Sequence, residues 1–578
     1  MTSRSLRVLT AVTALTALTV SLLAAAPAPA TAVGGPAAPR PLAAVADVGA
    51  FTGAVYHGLL YFPGRAAGSG MELWATDGTP AGTRMVTDLV PGSGSSLPVK
   101  LVAYADRLFF AATTPATGYE WWSTDGTAAG TRLLTDINPG TAASFPGDPV
   151  VAGGSLWFAA SDPTFGPELW RTDGTAAGTL RVADLRGGVA DSSPYELTAF
   201  GSKVVFGATD AEGARKPYVA SAGAGVVRLD NGDAVTDLVP GEFTVLGNRV
   251  LFRAGDQATQ GVELWATSGS AGDAVQVKDI YPGFHSGAPD RLTVQGNRVW
   301  FQAVTPDQGV ELWASDGTAQ GTFLAEDVWR GDDGSDPTNL RQFGDSLLFD
   351  ADDGVHGTEL WAVVASAPTD AQLFVDVLPG SGSGTLQAKD YLVTSVGAVS
   401  LFTGVDAGGA EPWVTDGTAA GTRRLADLAP GPAGSSPHTV GVLGDTVVFV
   451  ATAPGESLLY TWSPSWPATD VPLAPATPAG SRTSAHPQRH YSPAKAHRKR
   501  ITVPVVVTTS EGSPLTGGTV TVALHGKVLG SAPLDAGTAR VRLTRRLRPH
   551  RGYLVTATWS GTAGAAGSTS EPFRIRVR

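Results

Sequence analysis

The sequence predicts an all-β chain, a large body of repeated four-stranded units followed by a small β-sandwich. Three observations carry that expectation. An apolar strand running into a tight turn, typified by Glu72-Leu73-Trp74-Ala75-Thr76-Asp77-Gly78-Thr79, recurs at a near-constant interval down most of the chain. Short runs rich in Val, Leu, Phe, Trp and Thr alternate with clusters of Gly, Asn, Asp and Pro, the pattern of strands and turns. Beyond the N-terminal apolar run, no segment sustains the 3.6-residue periodicity of an amphipathic helix.

Composition bounds the rest. With 578 residues the chain is long enough for two or more domains, and 43% hydrophobic content supplies large cores. The 72 Gly and 41 Pro are high for a globular protein, which suits many short strands joined by turns. There is no cysteine, which excludes disulfides, thiolate metal sites, cysteine nucleophiles and lipid attachment at a cysteine.

In chain order, residues 1–32 read as a secretory signal peptide. Arg4 and Arg7 form its charged start, an apolar run extends from Leu9 to Ala25, and Ala28-Pro29-Ala30-Thr31-Ala32 offers small residues for cleavage. No second apolar run approaches spanning length. The expected location is therefore secreted, extracellular or cell-surface associated, with no transmembrane segment after cleavage.

The body spans residues 47–473. Aligned on the aromatic of the motif, its units centre on Trp74, Trp122, Trp170, Tyr218, Trp265, Trp313, Trp361, Trp413 and Tyr460, at intervals of 48, 48, 48, 47, 48, 48, 52 and 47. Each unit holds two hairpins. The first turns at sites such as Ala105-Asp106, Gly247-Asn248 and Gly296-Asn297, whose residues tolerate positive φ. The second turns at Asp-Gly-Thr and continues into strands such as Arg84-Met85-Val86-Thr87. Four short strands per 45–50 residues is the cadence of a propeller blade. Consecutive apolar residues, as in Leu108-Phe109-Phe110, fit sheets covered on both faces. The expectation is a β-propeller of 8–9 four-stranded blades, with exchange of a strand between the chain ends as a route to closure. These residues resemble the ELWxxDGT repeat family of secreted bacterial proteins, which is defined by its repeat; the resemblance implies architecture and leaves activity open.

Residues 474–500 turn to Pro, Ala, Ser, His and basic residues, ending in His497-Arg498-Lys499-Arg500, and read as an extended linker. Residues 501–578 return to alternating strands, with Thr519-Val520-Thr521-Val522, Leu529-Gly530-Ser531-Ala532-Pro533 and Ala557-Thr558-Trp559 among them. This segment resembles the bacterial Ig-like domains appended to exported proteins, which implies a small sandwich. From His486 to Arg578 there are 15 Lys+Arg against 3 Asp+Glu, although the whole chain carries −11. An acidic body argues against nucleic acid as its partner, and the basic tail suits anionic surfaces.

The Asp-Gly-Thr-x-x-Gly-Thr turn is intact at 77–83, 125–131, 173–179, 316–322 and 416–422. Units four and five lose its carboxylate and keep turn formers, so the motif reads as a turn and not as a ligand site. The Asp ending the third strand (Asp88, Asp136, Asp184, Asp279, Asp327, Asp427) reads as a loop cap. Catalytic residues should break the repeat, since an active site is normally single. Two departures stand out: an acidic loop with Asp332, Asp333 and Asp336, a candidate Ca²⁺ site, and Tyr119 with Trp121, a candidate platform for a sugar ring. No other cofactor is expected. No Gly-x-Ser-x-Gly elbow, P-loop, dinucleotide fingerprint or His-based metal motif occurs.

Taken together these features imply a secreted non-catalytic binding or scaffold protein, its propeller loops meeting an extracellular glycan, envelope polymer or protein and its basic Ig-like module touching the envelope. The alternative is an extracellular polysaccharide lyase or hydrolase with its site at one mouth of the propeller. Several non-repeated charged side chains within hydrogen-bond reach of one another would sink the first reading. Deleting 486–578 is expected to leave the body folded and to lower retention on anionic envelope polymers in a pull-down. Equal retention of the truncated chain would exclude that role.

Overall fold

Alternating strand and turn chemistry produces a computed structural model whose described residues are all-β. They are 38–42, 45, 47–48 and 52–465, less 231–236, 256–260, 387–392, 419–420 and 454–455, together with strands between 482 and 577. The expected signal peptide and most of the expected linker lie outside them. No helix occurs among the described residues, hence none long and apolar enough to cross a membrane. The chain divides into two compact units at 469/470.

The first unit contains nine blade-like antiparallel sheets among its described residues. The second sheet is representative: Val99–Tyr104, Arg107–Thr114, Gly118–Thr124 and Arg132–Leu133 pair in sequence order. The first strand of the first sheet is split into Asp47–Val48 and Ala54–Tyr56. The ninth sheet takes its fourth strand from the opposite end of the chain, where Arg40–Leu42 pairs with Leu459–Thr461. The ninth unit has no turn motif of its own, and the N-terminal segment fills the edge it leaves.

One cross-strand pair recurs throughout. A Phe of the second strand faces the motif aromatic of the third in every sheet, from Phe62 with Trp74 and Phe110 with Trp122 to Phe402 with Trp413 and Phe449 with Tyr460. Such pairs stabilise a hairpin by roughly 0.2–1 kcal/mol. The apolar cores lie between successive sheets. Tyr61 and Leu73 of the first sheet pack with Leu108 and Phe110 of the second, and Leu401 and Val414 of the eighth pack with Val447 and Phe449 of the ninth. Leu60 and Phe62 of the first sheet also share a core with Val448 and Leu459 of the ninth.

The Asp-Gly-Thr turn is a self-contained hydrogen-bonded knot. Asp125 Oδ1 accepts from Thr127 N at 2.9 Å and from its hydroxyl at 2.7 Å, and Gly130 N donates to Thr127 Oγ1 at 3.0 Å. Gly126 has φ +94°, and a Cβ on Gly130 would stand 2.0 Å from Asp125 Oδ1, so both glycines are required. The fifth unit corrects the expectation that its carboxylate is lost. Asp273, on the far side of the loop, accepts from Ser268 N at 2.9 Å and Ser270 N at 3.3 Å. The strand-end Asp does cap its loop: Gly140 N donates to Asp136 Oδ2 at 3.0 Å, and Gly188 N to Asp184 Oδ2 at 3.0 Å.

The Glu of Glu-Leu-Trp is wholly buried in seven sheets, at Glu72, Glu120, Glu168, Glu263, Glu311, Glu359 and Glu411. Glu311 accepts from Val328 N at 2.9 Å, Trp329 N at 3.0 Å, Ser335 N at 3.1 Å and Ser335 Oγ at 2.6 Å. It thereby ties the third strand of the sixth sheet to the loop that leads into the seventh.

The second unit forms two sheets. Arg482–Ala485, Thr502–Thr508 and Thr538–Arg542 make one; Lys527–Pro533, Thr519–Leu524, Arg551–Trp559 and Ser568–Thr569 make the other, with Phe573–Val577 beside Arg551–Val555. Arg482–Ala485 falls inside the expected linker and pairs as a strand.

Burial pushes the carboxyls of Glu120, Glu263 and Glu359 up to about 7 and that of Glu311 up to about 8, against the donors that oppose the shift. The folded body therefore holds more protons than the unfolded chain between the ordinary glutamate range and pH 8, and stability falls as pH rises through that window. The thermal midpoint is expected to drop from pH 5 to pH 8, and Glu311→Gln to flatten part of that slope. A midpoint that rises over the window would refute the assignment.

Candidate functional site

The repeat leaves one place free to vary, a left-handed bulge near the start of the first strand in five of the sheets. In the second, fourth, fifth, sixth and seventh sheets the pairing with the second strand slips between Val99 and Val102, Tyr195 and Thr198, Gly241 and Thr244, Asp290 and Thr293, and Thr338 and Arg341. The first extra residue is left-handed and polar every time: Lys100, Glu196, Glu242, Arg291 and Asn339, with φ between 50° and 60°. A non-glycine residue there costs about 1–2 kcal/mol, and its side chain is offered to the neighbouring sheet. First strands of successive sheets lie side by side from the fourth to the seventh.

In the fourth to sixth sheets this brings carboxylates and guanidiniums together. Glu196 accepts from Glu242 N through Oε2, and Glu242 Oε2 accepts from Leu292 N at 3.2 Å. Arg253 Nη1 donates to Asp290 Oδ1 at 3.1 Å, and Arg291 Nε lies 3.8 Å from Asp290 Oδ2. A Cβ on Gly241 would stand 3.2 Å from Arg253 Nε and from both Glu196 oxygens, so the glycine keeps this junction open. Alongside, Arg215 grips Asp237 through Nε at 3.1 Å and Nη2 at 2.6 Å. Tyr195 Oη is buried without a hydrogen-bond partner among the described residues, and burial raises its pKa.

The carboxyls here have unlike surroundings. Glu196 is exposed, whereas Glu242 is half-buried. Burial first, then the nearby Asp290 and Glu196, hold the Glu242 carboxyl above the usual glutamate range, although Leu292 N and Arg253 oppose the shift. One carboxyl held above the usual range near one that meets solvent is the kind of contrast that separates an acid from a base.

The residues singled out from sequence lie elsewhere. Trp121 is fully buried, edge-on to Phe158 with ring centroids 5.5 Å apart, in the core between the second and third sheets. It occupies the Leu position of the motif and offers no face to a sugar, a correction to the platform reading. Tyr119 is half-buried, 6.4 Å from the ring of the 71% exposed Phe145, and burial pushes its hydroxyl up to about 12. Asp332, Asp333 and Asp336 are exposed, and no group of three or more His, Asp or Glu able to hold a metal ion occurs among the described residues. In the loop that follows, at 352–356, Asp353 Oδ1 accepts from Val355 N and His356 N, each at 2.9 Å, and its Oδ2 lies 2.9 Å from His356 Nδ1.

Residues 491–578 match the bacterial Ig-like domain (group 3), which places the C-terminal segment in that class. No curated protein matches the sequence. Solved structures similar to it include a puromycin hydrolase, with 16% identity over 65% of this chain and 60% of that one at a TM-score of 0.32. A puromycin-hydrolyzing peptidase of Mycobacterium tuberculosis follows with 11% identity, 73% and 61% coverage and a TM-score of 0.35. Oligopeptidase B from Trypanosoma brucei has 11% identity, 64% and 54% coverage and a TM-score of 0.33. The chain spans less than two thirds of the length of each. Likeness at this level carries no argument about chemistry.

The expectation of a non-catalytic binding or scaffold protein, with polysaccharide cleavage as its alternative, is corrected here. The similar structures named above are peptide or puromycin hydrolases. Within this chain, non-repeated charged side chains do meet within hydrogen-bond reach, Arg253 with Asp290 and Arg215 with Asp237, the condition that counts against a purely structural body. For the aromatic pair the structure predicts a contrast: Trp121→Ala costs about 3–5 kcal/mol through cavity formation, measured by denaturant unfolding, and Tyr119→Ala costs clearly less. Equal losses would contradict the placement of Trp121 in the core.

Proposed function

We propose that the body is a closed, nine-bladed β-propeller of the ELWxxDGT type, exported from a bacterial cell, that hydrolyses peptides at the cluster around Glu196, Glu242 and Arg253. Closure is supported by the strand Arg40–Leu42 on the ninth sheet and by the shared core of the ninth and first sheets. Export is supported by the charged and apolar character of residues 1–32.

The chemistry rests on one observation, the unlike exposure of the Glu196 and Glu242 side chains at a junction where Glu196 accepts from Glu242 N and lies, with Arg253 Nε, against Gly241. A peptide carbonyl polarised by Arg253 is attacked by water as Glu196 takes the water's proton. The C–N bond then breaks as the Glu242 carboxyl passes its proton to the departing nitrogen, and exchange with solvent restores both carboxyls. An amide suits the site because its oxygen accepts from Arg253 while its N–H faces carboxylates.

Incubating the full chain with a pool of synthetic peptides at pH 4–8 is expected to give cleavage products by mass spectrometry. Glu242→Gln should lower the rate by about 100-fold or more, and wild-type activity should fall as pH rises past the elevated Glu242 pKa. Intact peptides across that range, or a Gln variant as fast as the wild type, would overturn the reading.

A further inference from the structure

The loops of the first unit differ at their tips, and the difference is confined to one end of the sheets. Four antiparallel strands paired in order place the turn between the second and third strands at the same end as the loop leaving the fourth. Turn and loop meet there. Gly70 N donates to Gly92 O at 3.0 Å, Ser144 N donates to Tyr119 O at 3.2 Å, and a Cβ on Gly166 would stand 3.2 Å from Val189 O. Among the described residues of this unit, the exposed large apolar side chains outside strands are Leu97, Phe145, Val189, Phe284 and Val355. All five belong to these turns and loops. The opposite end carries none of them and is instead opened by the exposed aspartates of the Asp-Gly-Thr turns, such as Asp125 and Asp173.

Over the first and second sheets this end is also without charge. The turns 66–70 and 115–119 and the loops 89–98 and 137–147 contain no Lys, Arg, Asp or Glu. Of the charges that flank them, Glu72 and Glu120 are buried, Asp136 caps its loop, and Lys100 lies 3.3 Å from Asp148, which leaves Arg65 and Asp88 at the rim. From this uncharged ground two side chains stand out, Leu97 at 51% exposure and Phe145 at 71%. Each has left-handed backbone, φ 48°, and each is followed by proline. Such a conformation persists only where its surroundings hold it. The buried glutamates do so, Glu72 accepting from Ser96 N at 2.9 Å and Glu120 from Ser144 N at 3.0 Å, one residue before each tip. Tyr119 stands beside Phe145, ring centroids 6.4 Å apart.

A stable protein interface is built on a continuous, close-packed apolar centre. Leu97 and Phe145 rise singly from glycine, serine, alanine and proline, on supports that hold them in place. A bilayer interface asks for no matching shape, and separate apolar and aromatic tips enter its headgroup layer. The missing charge selects the headgroup. Anionic lipid is met by clustered Lys and Arg, and the four segments hold neither.

We infer that this end of the first and second sheets docks on a zwitterionic lipid surface, with Leu97 and Phe145 entering the interface. The site is separate from the charged cluster of the fourth to sixth sheets and does not depend on the peptide reading.

The test uses the chain from residue 33 onward, which keeps every described residue and omits the leading apolar run that would itself bind lipid. Its probe is vesicles of phosphatidylcholine alone, a lipid without net charge, so that the basic C-terminal segment adds no attraction. Co-sedimentation is expected to show binding by the wild type and a partition at least about tenfold weaker for Leu97→Ser combined with Phe145→Ser, because both lose the apolar burial that drives docking. Phe145→Trp should keep the binding. Val275→Ser, which removes a 60% exposed side chain from the strand Val275–Lys278 of the fifth sheet, should leave it unchanged. Thermal melts of all variants should match the wild type, since these side chains are exposed. Wild-type protein that stays in the supernatant would overturn the docking surface, as would a paired variant that binds like the wild type or a Val275 effect of equal size. Sedimentation velocity without lipid supplies the remaining outcome: a dimer that the paired variant abolishes would assign the patch to a second copy of the chain and overturn the lipid reading.

Discussion

The body depends on a buried carboxylate repeated seven times. An isolated ionised group in an apolar interior costs several kcal/mol, so it persists only where donors surround it. Most repeats supply them from the same offsets, and Glu359 takes its donors one residue further along. Glu72 accepts from Leu89 N at 3.0 Å and from Ser96 N at 2.9 Å and Oγ at 2.6 Å; Glu411 accepts from Leu428 N at 3.0 Å and Ser435 Oγ at 2.7 Å. One side chain therefore joins a third strand, the loop after the fourth and the entry to the next sheet. The entry is correspondingly sharp, with left-handed Leu97, Phe145, Ser193, Ala288, Asp336 and Ser436 each followed by proline. Two departures show the same constraint. In the fourth unit the position is Lys216, equally buried, and Asp230 Oδ2 lies 3.6 Å from its Nζ. In the ninth it is Leu458, and there the strand edge is covered by Arg40–Leu42.

Much of the framework was legible because it obeys local rules. The 48-residue interval, the turn residues and the consecutive apolar strands define sheets without reference to anything distant. The role of the motif Glu was not legible in the same way. A charged residue beside a strand Leu reads as a solvent-facing position, and only long-range pairing reveals that its face is closed by the next loop. The constant offset of 24 residues from Glu to a Ser or Gly was the available signal. Asp273 escaped for a similar reason. The eye follows the first position of the turn, whereas the physics requires only a carboxylate within reach of the same amides.

The site was harder still. Trp121 looked like a departure because it doubles an aromatic, yet it fills the Leu slot of a buried strand, and a larger apolar side chain there is a packing variant. Glu196, Glu242, Arg291 and Asn339 sit 46 to 49 residues apart, each in a weakly patterned strand. What unites them is a left-handed bulge, which a sequence without Gly or Asn-Gly at those points does not announce. The trace they leave is negative: these positions are in phase with the repeat and polar in every case, while the residue changes among Glu, Arg and Asn.

That combination explains how one chain can be so regular and still carry a single asymmetric site. The Phe–aromatic pair in every sheet, with the buried Glu in seven and the Asp-Gly-Thr knot in five, holds the second, third and fourth strands. The first strand is held mainly by its hairpin to the second, so its bulge is released from the consensus. Strain of about 1–2 kcal/mol at each left-handed side chain is offset where that side chain reaches the next sheet, as Glu196 does at Glu242 N and Asn339 at Leu386 O, 2.9 Å away. The tie needs a polar group of either sign. Its identity can therefore vary from sheet to sheet without loss of fold, and in the fourth to seventh sheets that freedom has gathered charge at one level of the body.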